Sequence, residues 1–263
     1  MQTLDFTVRE AVSVSRMVVR LTLAPPSPCA YADAKTLQEL SIRPGQFVEA
    51  RIDHTPGVLL RRPISIHDVD EERNLLMLLV QRVGKGSEWL CQREAGDAVN
   101  LVLPLGNGFD ISRSGQYPLL VGGGVGIAPL LLLGKELVRI GVSPTFLLGA
   151  RSECDLPCLP SYQQVAHTLV CTEDGGLGEK GFVTQHPVLA AESFSHVYAC
   201  GPKPMMQAVA RYARAQGISC DVSLENRMAC GLGACLCCVE DTVDGHVCVC
   251  KEGPVFSMDK LKW

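Results

Sequence analysis

The 263-residue sequence lacks several features that would assign it to a simple functional class. It has no block of basic residues that would predict a nucleic-acid partner, and no acidic tail that would act as a solvating segment. Its first ten residues, MQTLDFTVRE, contain acidic side chains and no apolar core, so they do not predict a signal peptide. The net charge is −4 and 47% of the residues are hydrophobic, an ordinary globular balance. We expect a cytoplasmic protein of two or three domains.

Charge is also missing between Arg113 and Lys135, a stretch whose length superficially suggests a membrane span. Four glycines and a proline interrupt the middle of this stretch, which includes YPLLVGGGVGIAPLLLLG. Such residues would break a membrane helix. They predict a buried strand, a glycine loop and a buried helix instead.

The order of the predicted elements divides the chain into three parts. From residue 1 to about 110 the pattern is a run of strands, which predicts a small antiparallel barrel, interrupted by a surface loop at 24–40. From about residue 116 strands alternate with helices, which predicts a parallel sheet. The last part is too small for a core of its own and needs a metal or a neighbour to fold. The predicted domains are 1–112, 113–216 and 217–263. The predicted barrel strands are MVVRLTL, QFVEARI, PISIHDV, NLLMLLVQRV and AVNLVLPL.

Thirteen cysteines without a secretion signal favour metal or redox roles over disulfides. Six of them lie in RMACGLGACLCCVEDTVDGHVCVC. Cys230, Cys235 and Cys238 have the spacing C-x4-C-x2-C, which is typical of a plant-type [2Fe–2S] cluster with a distant fourth cysteine. Glycines between them allow the backbone to approach the sulfides. Cys237 is a rival to Cys238, and the spacing favours Cys238.

The fourth ligand is predicted to come from a hairpin. A turn at Asp244-Gly245 would place Val239 opposite Cys250 and return Cys250 to the loop. Cys248 lies two residues earlier on the same face, so the pattern favours Cys250 only weakly. A zinc site is the alternative, although zinc ribbons usually use paired C-x2-C motifs and this segment has no second one.

Four further motifs suggest cofactor binding. The run 61–66, RRPISI, could grip a diphosphate or the edge of a flavin ring, although a basic edge strand would look similar. The run 84–87, GKGS, begins a helix and could bind an anion or form a plain capped turn. The run 122–129, GGGVGIAP, joins a strand to a helix as a dinucleotide loop does, or serves packing alone. Cys200-Gly201-Pro202 follows another buried strand, where a cysteine could lie beside a nicotinamide or be a structural thiol.

The order of these motifs resembles that of the ferredoxin–NADP reductase superfamily. The runs ENRMACGLGAC and CKEGPVF narrow the resemblance to the electron-transfer subunits of type B dihydroorotate dehydrogenases, and it covers almost the whole chain. The resemblance implies an antiparallel FAD-binding β-barrel, a ferredoxin-reductase-like α/β nicotinamide domain and a small C-terminal [2Fe–2S] domain. It also selects Cys238 over Cys237 and Cys250 over Cys248.

The resemblance implies three groups of site residues and no general base. The predicted FAD residues are Arg62, Pro63, Ile64, Ser65, Val80, Gln81, Arg82, Gly86 and Ser87. The predicted nicotinamide residues are Gly122, Gly123, Gly124, Gly126, Cys200 and Gly201, and the predicted cluster ligands are Cys230, Cys235, Cys238 and Cys250.

The function that the resemblance implies is electron transfer in pyrimidine biosynthesis. A partner subunit with FMN would oxidise dihydroorotate to orotate, and electrons would pass through the cluster and FAD to NAD⁺, in a heterotetramer of two plus two subunits. FAD belongs between the other two carriers because a flavin exchanges both single electrons and hydrides. A reductase serving a sulfide dehydrogenase or glutamate synthase-like partner, and a zinc-stabilised binding module, are the alternatives. Arg151-Ser152 could accept a 2′-phosphate, so NADP stays open beside NAD.

Overall fold

The computed structural model describes residues 1–26 and 36–263, and its N-terminal part is a closed antiparallel barrel. The strand order is β1-β2-β5-β4-β3-β6, and β1 closes the barrel on β6. Residues 27–35 of the predicted 24–40 loop lie outside the described part. The elements are β1 (Gln2–Ser13), β2 (Val18–Ala24), α1 (Leu37–Leu40), β3 (Phe47–Ala50), β4 (Arg62–Asp70), β5 (Leu75–Gln81), α2 (Lys85–Cys91) and β6 (Ala98–Leu105).

Strand β1 is the barrel element that the sequence analysis missed. Leu4, Phe6 and Val8 alternate with more exposed residues and point into the barrel core. This period of two is the ordinary signal of a half-buried strand. The other five strands were predicted correctly.

The second part of the chain forms a seven-stranded sheet in the order β10-β9-β8-β7-β11-β12-β15, in which only β15 is antiparallel. The prediction of a strand, a glycine loop and a helix around residue 122 is confirmed, and no helix in the described ranges is long and apolar enough to cross a membrane. The elements up to the cysteine-rich segment are β7 (Leu119–Gly123), α3 (Ala128–Arg139), β8 (Thr145–Ala150), α4 (Leu159–Val165), β9 (His167–Thr172), β10 (Glu179–Lys180), α5 (Val188–Ala191), β11 (Val197–Cys200), α6 (Lys203–Gln216) and β12 (Cys220–Ser223).

The cysteine-rich segment contains a hairpin whose register differs from the prediction. Val239 pairs with Cys248, not with Cys250, because the turn residues are 243–244 and Gly245 begins the return strand. Thr242 Oγ1 donates to the Gly245 carbonyl at 2.7 Å and stabilises this turn. Cys250 therefore lies in the helix after the hairpin. The elements are β13 (Val239–Thr242), β14 (Gly245–Cys248), α7 (Val249–Glu252) and β15 (Val255–Ser257).

The C-terminal segment is bound to both other parts of the molecule. Strands β12 and β15, which fall within the predicted 217–263 domain, complete the sheet of the middle part. The Asn107 side-chain amide, just after the barrel, donates to the carbonyls of Lys251 and Glu252 at 3.0 and 3.2 Å. The three-domain division stays a prediction, and the sheet itself extends past residue 216.

Candidate functional site

A cleft of about 420 Å³ lies where the barrel, the middle sheet and the C-terminal segment meet. One wall consists of barrel residues on β4, β5 and the start of α2. Val125 and Ala128 close the cleft from the glycine loop, and the segment 223–228 closes it from the side of the cysteines. Six of the nine predicted FAD residues line this cleft: Arg62, Pro63, Ile64, Ser65, Gln81 and Ser87.

The other three predicted FAD residues lie beside the cleft. Val80 is fully buried in the barrel core, so its side chain faces away. Arg82 forms an ion pair with Glu88 at 3.3 Å. A Cβ atom on Gly86 would lie 2.5 Å from the Arg62 Nε, so only glycine at position 86 leaves room for the Arg62 guanidinium.

The Ser87 hydroxyl caps its own turn. It accepts from the backbone N–H groups of Val83 and Gly84 at 3.0 and 3.1 Å and donates to the Gly84 carbonyl at 3.0 Å. The run 84–87 thus forms the capped turn that was predicted as the alternative to an anion site.

The two glycine segments predicted to bind the nicotinamide pack directly against each other. A Cβ atom on Gly126 would lie 2.4 Å from the Gly201 Cα, and one on Gly123 would lie 2.6 Å from the Met205 sulfur. Gly124 has a φ of +58° and open space around its Cα. The close approach requires glycine, and it brings the ends of β7 and β11 to one edge of the cleft.

Cys200 ends β11, and its thiol lies in the core behind the glycine segments. It packs in the cluster that contains Leu130 and Tyr198, and burial raises its pKa well above the ordinary thiol value. In this structure the thiol is therefore a buried apolar group. Its predicted contact with a nicotinamide stays a prediction.

The first half of the cysteine loop wraps around the sulfur of Cys230. The backbone N–H groups of Leu232 and Cys235 donate to this sulfur, each at 3.4 Å. These hydrogen bonds, with that from Leu232 as the largest cause, lower the pKa of Cys230 to about 6. The loop thus favours a thiolate, the form that ligates a metal.

The second half of the loop meets α7. Gly233 N–H donates to the Cys250 sulfur at 3.1 Å, and Cys250 N–H donates to the Cys238 sulfur at 3.4 Å. The Cys248 thiol also approaches this loop and donates to the Gly233 carbonyl at 3.7 Å. Cys237 is exposed. The structure thus brings Cys238 and Cys250 together and keeps Cys248 nearby.

The four predicted ligands form two thiol pairs. Cys230 and Cys235 are in hydrogen-bond contact, and so are Cys238 and Cys250. Among the described residues, no three His, Cys, Asp or Glu side chains converge as ligands of one metal ion. Two pairs suit a cluster of two irons, each taking two thiolates, better than one tetrahedral ion.

Glu49 is a site residue that the sequence analysis missed. It lies on β3, is 1% exposed and faces the cysteine loop, where a Cβ atom on Gly231 would lie 2.8 Å from its Cγ. Within the described part of the chain, neither carboxylate oxygen has a hydrogen-bond partner. Burial raises its pKa to about 7, with Arg61 opposing the shift and Cys230 adding to it. An acid in the apolar run QFVEA was the available signal.

An orphaned buried carboxylate beside a cleft is a common mark of a binding site whose occupant completes the contacts. Here it lies between the strand pair that carries the predicted FAD residues and the loop that carries the predicted cluster ligands. The residues present therefore fit both groups.

Comparisons with known families agree with this geometry. Residues 225–262 match the iron–sulfur cluster binding domain of dihydroorotate dehydrogenase B, and residues 120–211 match the oxidoreductase NAD-binding domain. The chain is 40% identical over 238 residues to the dihydroorotate dehydrogenase B (NAD(+)) electron transfer subunit of Desulforamulus reducens, covering 88% of this chain and 90% of that one. The chain belongs to the family of dihydroorotate dehydrogenase B electron transfer subunits. Its counterpart in Shouchella clausii is 37% identical over 226 residues, with 83% and 86% covered.

Solved structures place this family member among flavin-dependent reductases by fold. The NADH-dependent reduced ferredoxin–NADP oxidoreductase superposes with a TM-score of 0.84 at 30% identity, covering 98% of this chain and 90% of that one. The cytochrome b5 reductase domain of Ulva prolifera nitrate reductase superposes with a TM-score of 0.65 at 18% identity, covering 82% and 94%. The predicted barrel and nicotinamide-domain architecture is confirmed.

Proposed function

We propose that this chain is the electron-transfer subunit of an oxidoreductase that couples oxidation of dihydroorotate to orotate, by an FMN-containing partner subunit, to reduction of NAD⁺ in pyrimidine biosynthesis. The observation that carries the proposal is the shared cleft. One opening is bordered by the strand with the predicted FAD residues, by the glycine loop and by the segment 223–228, which leads to the first cysteine. Electron carriers must lie close together, and this cleft adjoins all three predicted sites.

Each part of the chain contributes a different function to the proposal. FAD would supply the exchange of single electrons with a [2Fe–2S] cluster and of a hydride with a nicotinamide. Arg62, with two backbone carbonyls already bound at 2.8 and 3.2 Å, is held against the cleft for an anionic or flavin contact. Gly122, Gly123, Gly124, Gly126 and Gly201 would admit the nicotinamide cofactor at the sheet edge.

The cysteine ligands belong to the same proposal. Cys230, Cys235, Cys238 and Cys250 would hold the cluster, and the exposed Leu232 and Leu236 beside them would face the partner subunit. A heterotetramer of two plus two subunits and a reducing, cytoplasmic location complete it, because these thiols must stay reduced to bind iron. NAD is favoured over NADP by the family.

Co-expression with the FMN-containing catalytic subunit under anaerobic conditions tests the proposal. We expect about two irons and two sulfides, one FAD and one FMN per pair of subunits, and NAD⁺ reduction that depends on dihydroorotate. A complex that ignores dihydroorotate but reduces NAD⁺ with another donor would identify a different partner, of the sulfide dehydrogenase or glutamate synthase kind. A colourless preparation with zinc and no flavin would contradict every redox function.

A further inference from the structure

A β-bulge in β4 turns two neighbouring side chains toward the second part of the molecule. β4 pairs regularly with β5 from Asp70 back to Asp68, and the register then shifts by one residue before the pair made by Ile66. In an uninterrupted strand, adjacent residues face opposite sides of the sheet. A bulge inserts one residue and re-aims its neighbours. Ile66 accordingly packs in the barrel core, while both His67 and Asp68 contact α3.

The two contacts hold α3 at separate points. His67 Nδ1 lies 2.9 Å from the carbonyl oxygen of Ala128, the first residue of α3. A carbonyl only accepts, so Nδ1 carries the proton. Asp68 forms an ion pair with Lys135, about two turns further along the same helix. His67 is 2% exposed, so its hydrogen bond is shielded from water, whereas Lys135 is partly exposed.

The His67 contact lies at the end of the glycine loop. Ala128 directly follows Gly124–Ile127, and it also lines the cleft. The buried Tyr162, whose ring centroid lies 6.2 Å from that of His67, donates from its hydroxyl to the Ile127 carbonyl at 2.8 Å. Two consecutive carbonyls at the loop's end are therefore held by side chains from outside the loop.

Resting on the proposed function, we propose that His67 is a positioning residue for hydride transfer: it fixes the nicotinamide loop relative to the strand that carries the flavin residues. Ser65, in the cleft, and His67 are two residues apart on β4. Hydride transfer needs reacting atoms in near contact, about 3 to 3.5 Å apart. The two cofactors would bind different parts of the chain, so the contact between those parts sets their separation.

The His67 imidazole is neutral near pH 7, and a neutral imidazole with its proton on Nδ1 still donates to the Ala128 carbonyl. Burial lowers the pKa of His67 to about 4; the Ala128 hydrogen bond and Asp68 oppose this shift, and Lys135 and Arg20 add smaller effects in the same direction as burial. The contact therefore persists over the range in which an NAD-linked enzyme operates.

Two substitutions separate the hydrogen bond from the ring. His67→Phe keeps an aromatic ring and removes the donor, and His67→Asn removes the ring and keeps an amide donor near the position of Nδ1. In the holo-complex with its catalytic subunit, we expect His67→Phe to slow flavin reduction by NADH at least tenfold in stopped flow, with the NADH dissociation constant changed less than threefold. His67→Asn should stay within threefold of wild type in rate.

Hydrogen–deuterium exchange supplies a readout that does not depend on turnover. Residues 122–132 should exchange faster in His67→Phe than in wild type or His67→Asn. Lys135→Met, which breaks the other contact on the same helix, should lower the unfolding temperature and leave flavin reduction within twofold of wild type.

The results that would overturn the proposal are distinct from failure of the proposed function. Wild-type rate and exchange in His67→Phe, or an equally slow His67→Asn, would overturn it. Should His67→Phe not fold, His67→Asn alone decides: a near-wild-type rate supports the hydrogen bond, and a tenfold loss contradicts it. A complex that binds no FAD would contradict the proposed function instead.

Discussion

The barrel contacts the cysteine loop through Glu49 and contacts α3 through His67, and these two contacts can be compared directly. Each is a buried titratable residue on a neighbouring strand, Glu49 facing the cysteine loop and His67 facing α3. Burial is the largest cause of both pKa shifts, and it moves them in opposite directions, to about 7 for Glu49 and to about 4 for His67. Between these values both side chains are neutral.

The two contacts differ in how completely the protein satisfies them. The His67 ring has a carbonyl partner, whereas both Glu49 oxygens have none within the described ranges. The Glu49 contact adjoins the predicted sites of FAD and the cluster, so a group bound there would complete it.

The largest expected effect comes from removing a predicted cluster ligand on the side of the cysteine loop. Cys250→Ser should abolish most of the iron and sulfide of the anaerobically purified complex, because Cys250 pairs with Cys238. Cys248→Ser removes a thiol that also contacts the loop, at 3.7 Å from the Gly233 carbonyl oxygen; it is the matched control and should keep the full cluster spectrum. Loss of iron in the control alone would make Cys248 the fourth ligand.

A glycine substitution tests the α3 side. Gly126→Ala should cost about 2 to 3 kcal/mol of unfolding free energy, because its Cβ atom would collide with the Gly201 backbone. Gly124→Ala, in open space but at a φ of +58°, should cost about 1 kcal/mol. Urea unfolding measures both, and equal costs would show that Gly126 and Gly201 are not packed as described.

Association with the partner gives a smaller effect on the cysteine side. Leu236 is 65% exposed beside Cys235, and Leu236→Asp should weaken binding of the catalytic subunit about tenfold, or about 1.4 kcal/mol. Phe182, 60% exposed beyond β10 at the opposite end of the sheet, is the control position. Titration calorimetry that finds Phe182→Asp equally harmful would relocate the interface.

The last two effects appear only when the pH is varied. Between about pH 4.5 and 7 the unfolded chain loses the Glu49 proton while the folded chain keeps it, so Glu49 lowers stability as pH rises through this window. Glu49→Gln should equal wild type in stability at pH 4 and exceed it by about 3 kcal/mol at pH 8.

His67 has the opposite sign. Its folded pKa is depressed, so its contribution to stability is present above about pH 6.5 and is lost as pH falls toward 4. His67→Asn should flatten the acidic side of the stability profile and leave the alkaline side unchanged. Thermal unfolding from pH 4 to 8 compares the two variants, and profiles with the same sign would contradict both assignments.

Local patterns predicted much of the architecture. Three signals are local in sequence: the change of pattern at residue 116, the glycine loop and the C-x4-C-x2-C spacing. The structure contains the corresponding sheet, loop and cysteine pairs. The barrel strand β1 could also have been predicted from the alternation of apolar and polar residues along it.

Features that depend on distant partners were not predictable in this way. The hairpin register changed because Gly245 starts a strand, not a turn, a choice set by pairing with Thr242. The direction of His67 depends on how β4 aligns with β5, and the environment of Glu49 depends on a loop some 180 residues away in the chain. Both residues look like ordinary strand positions in the sequence.

Strand β15 makes the sheet of the middle part depend on residues that follow the cysteine loop in the chain. It joins the sheet beside β12, yet it is synthesised after every cysteine of the loop. During synthesis the nicotinamide part therefore has an open sheet edge until β15 has left the ribosome. The cysteine loop lies between these two strands in the chain, so pairing of β15 with β12 draws the two ends of the loop together. A nascent chain would thus gather its thiols for iron only after residues 255–257 have joined the sheet.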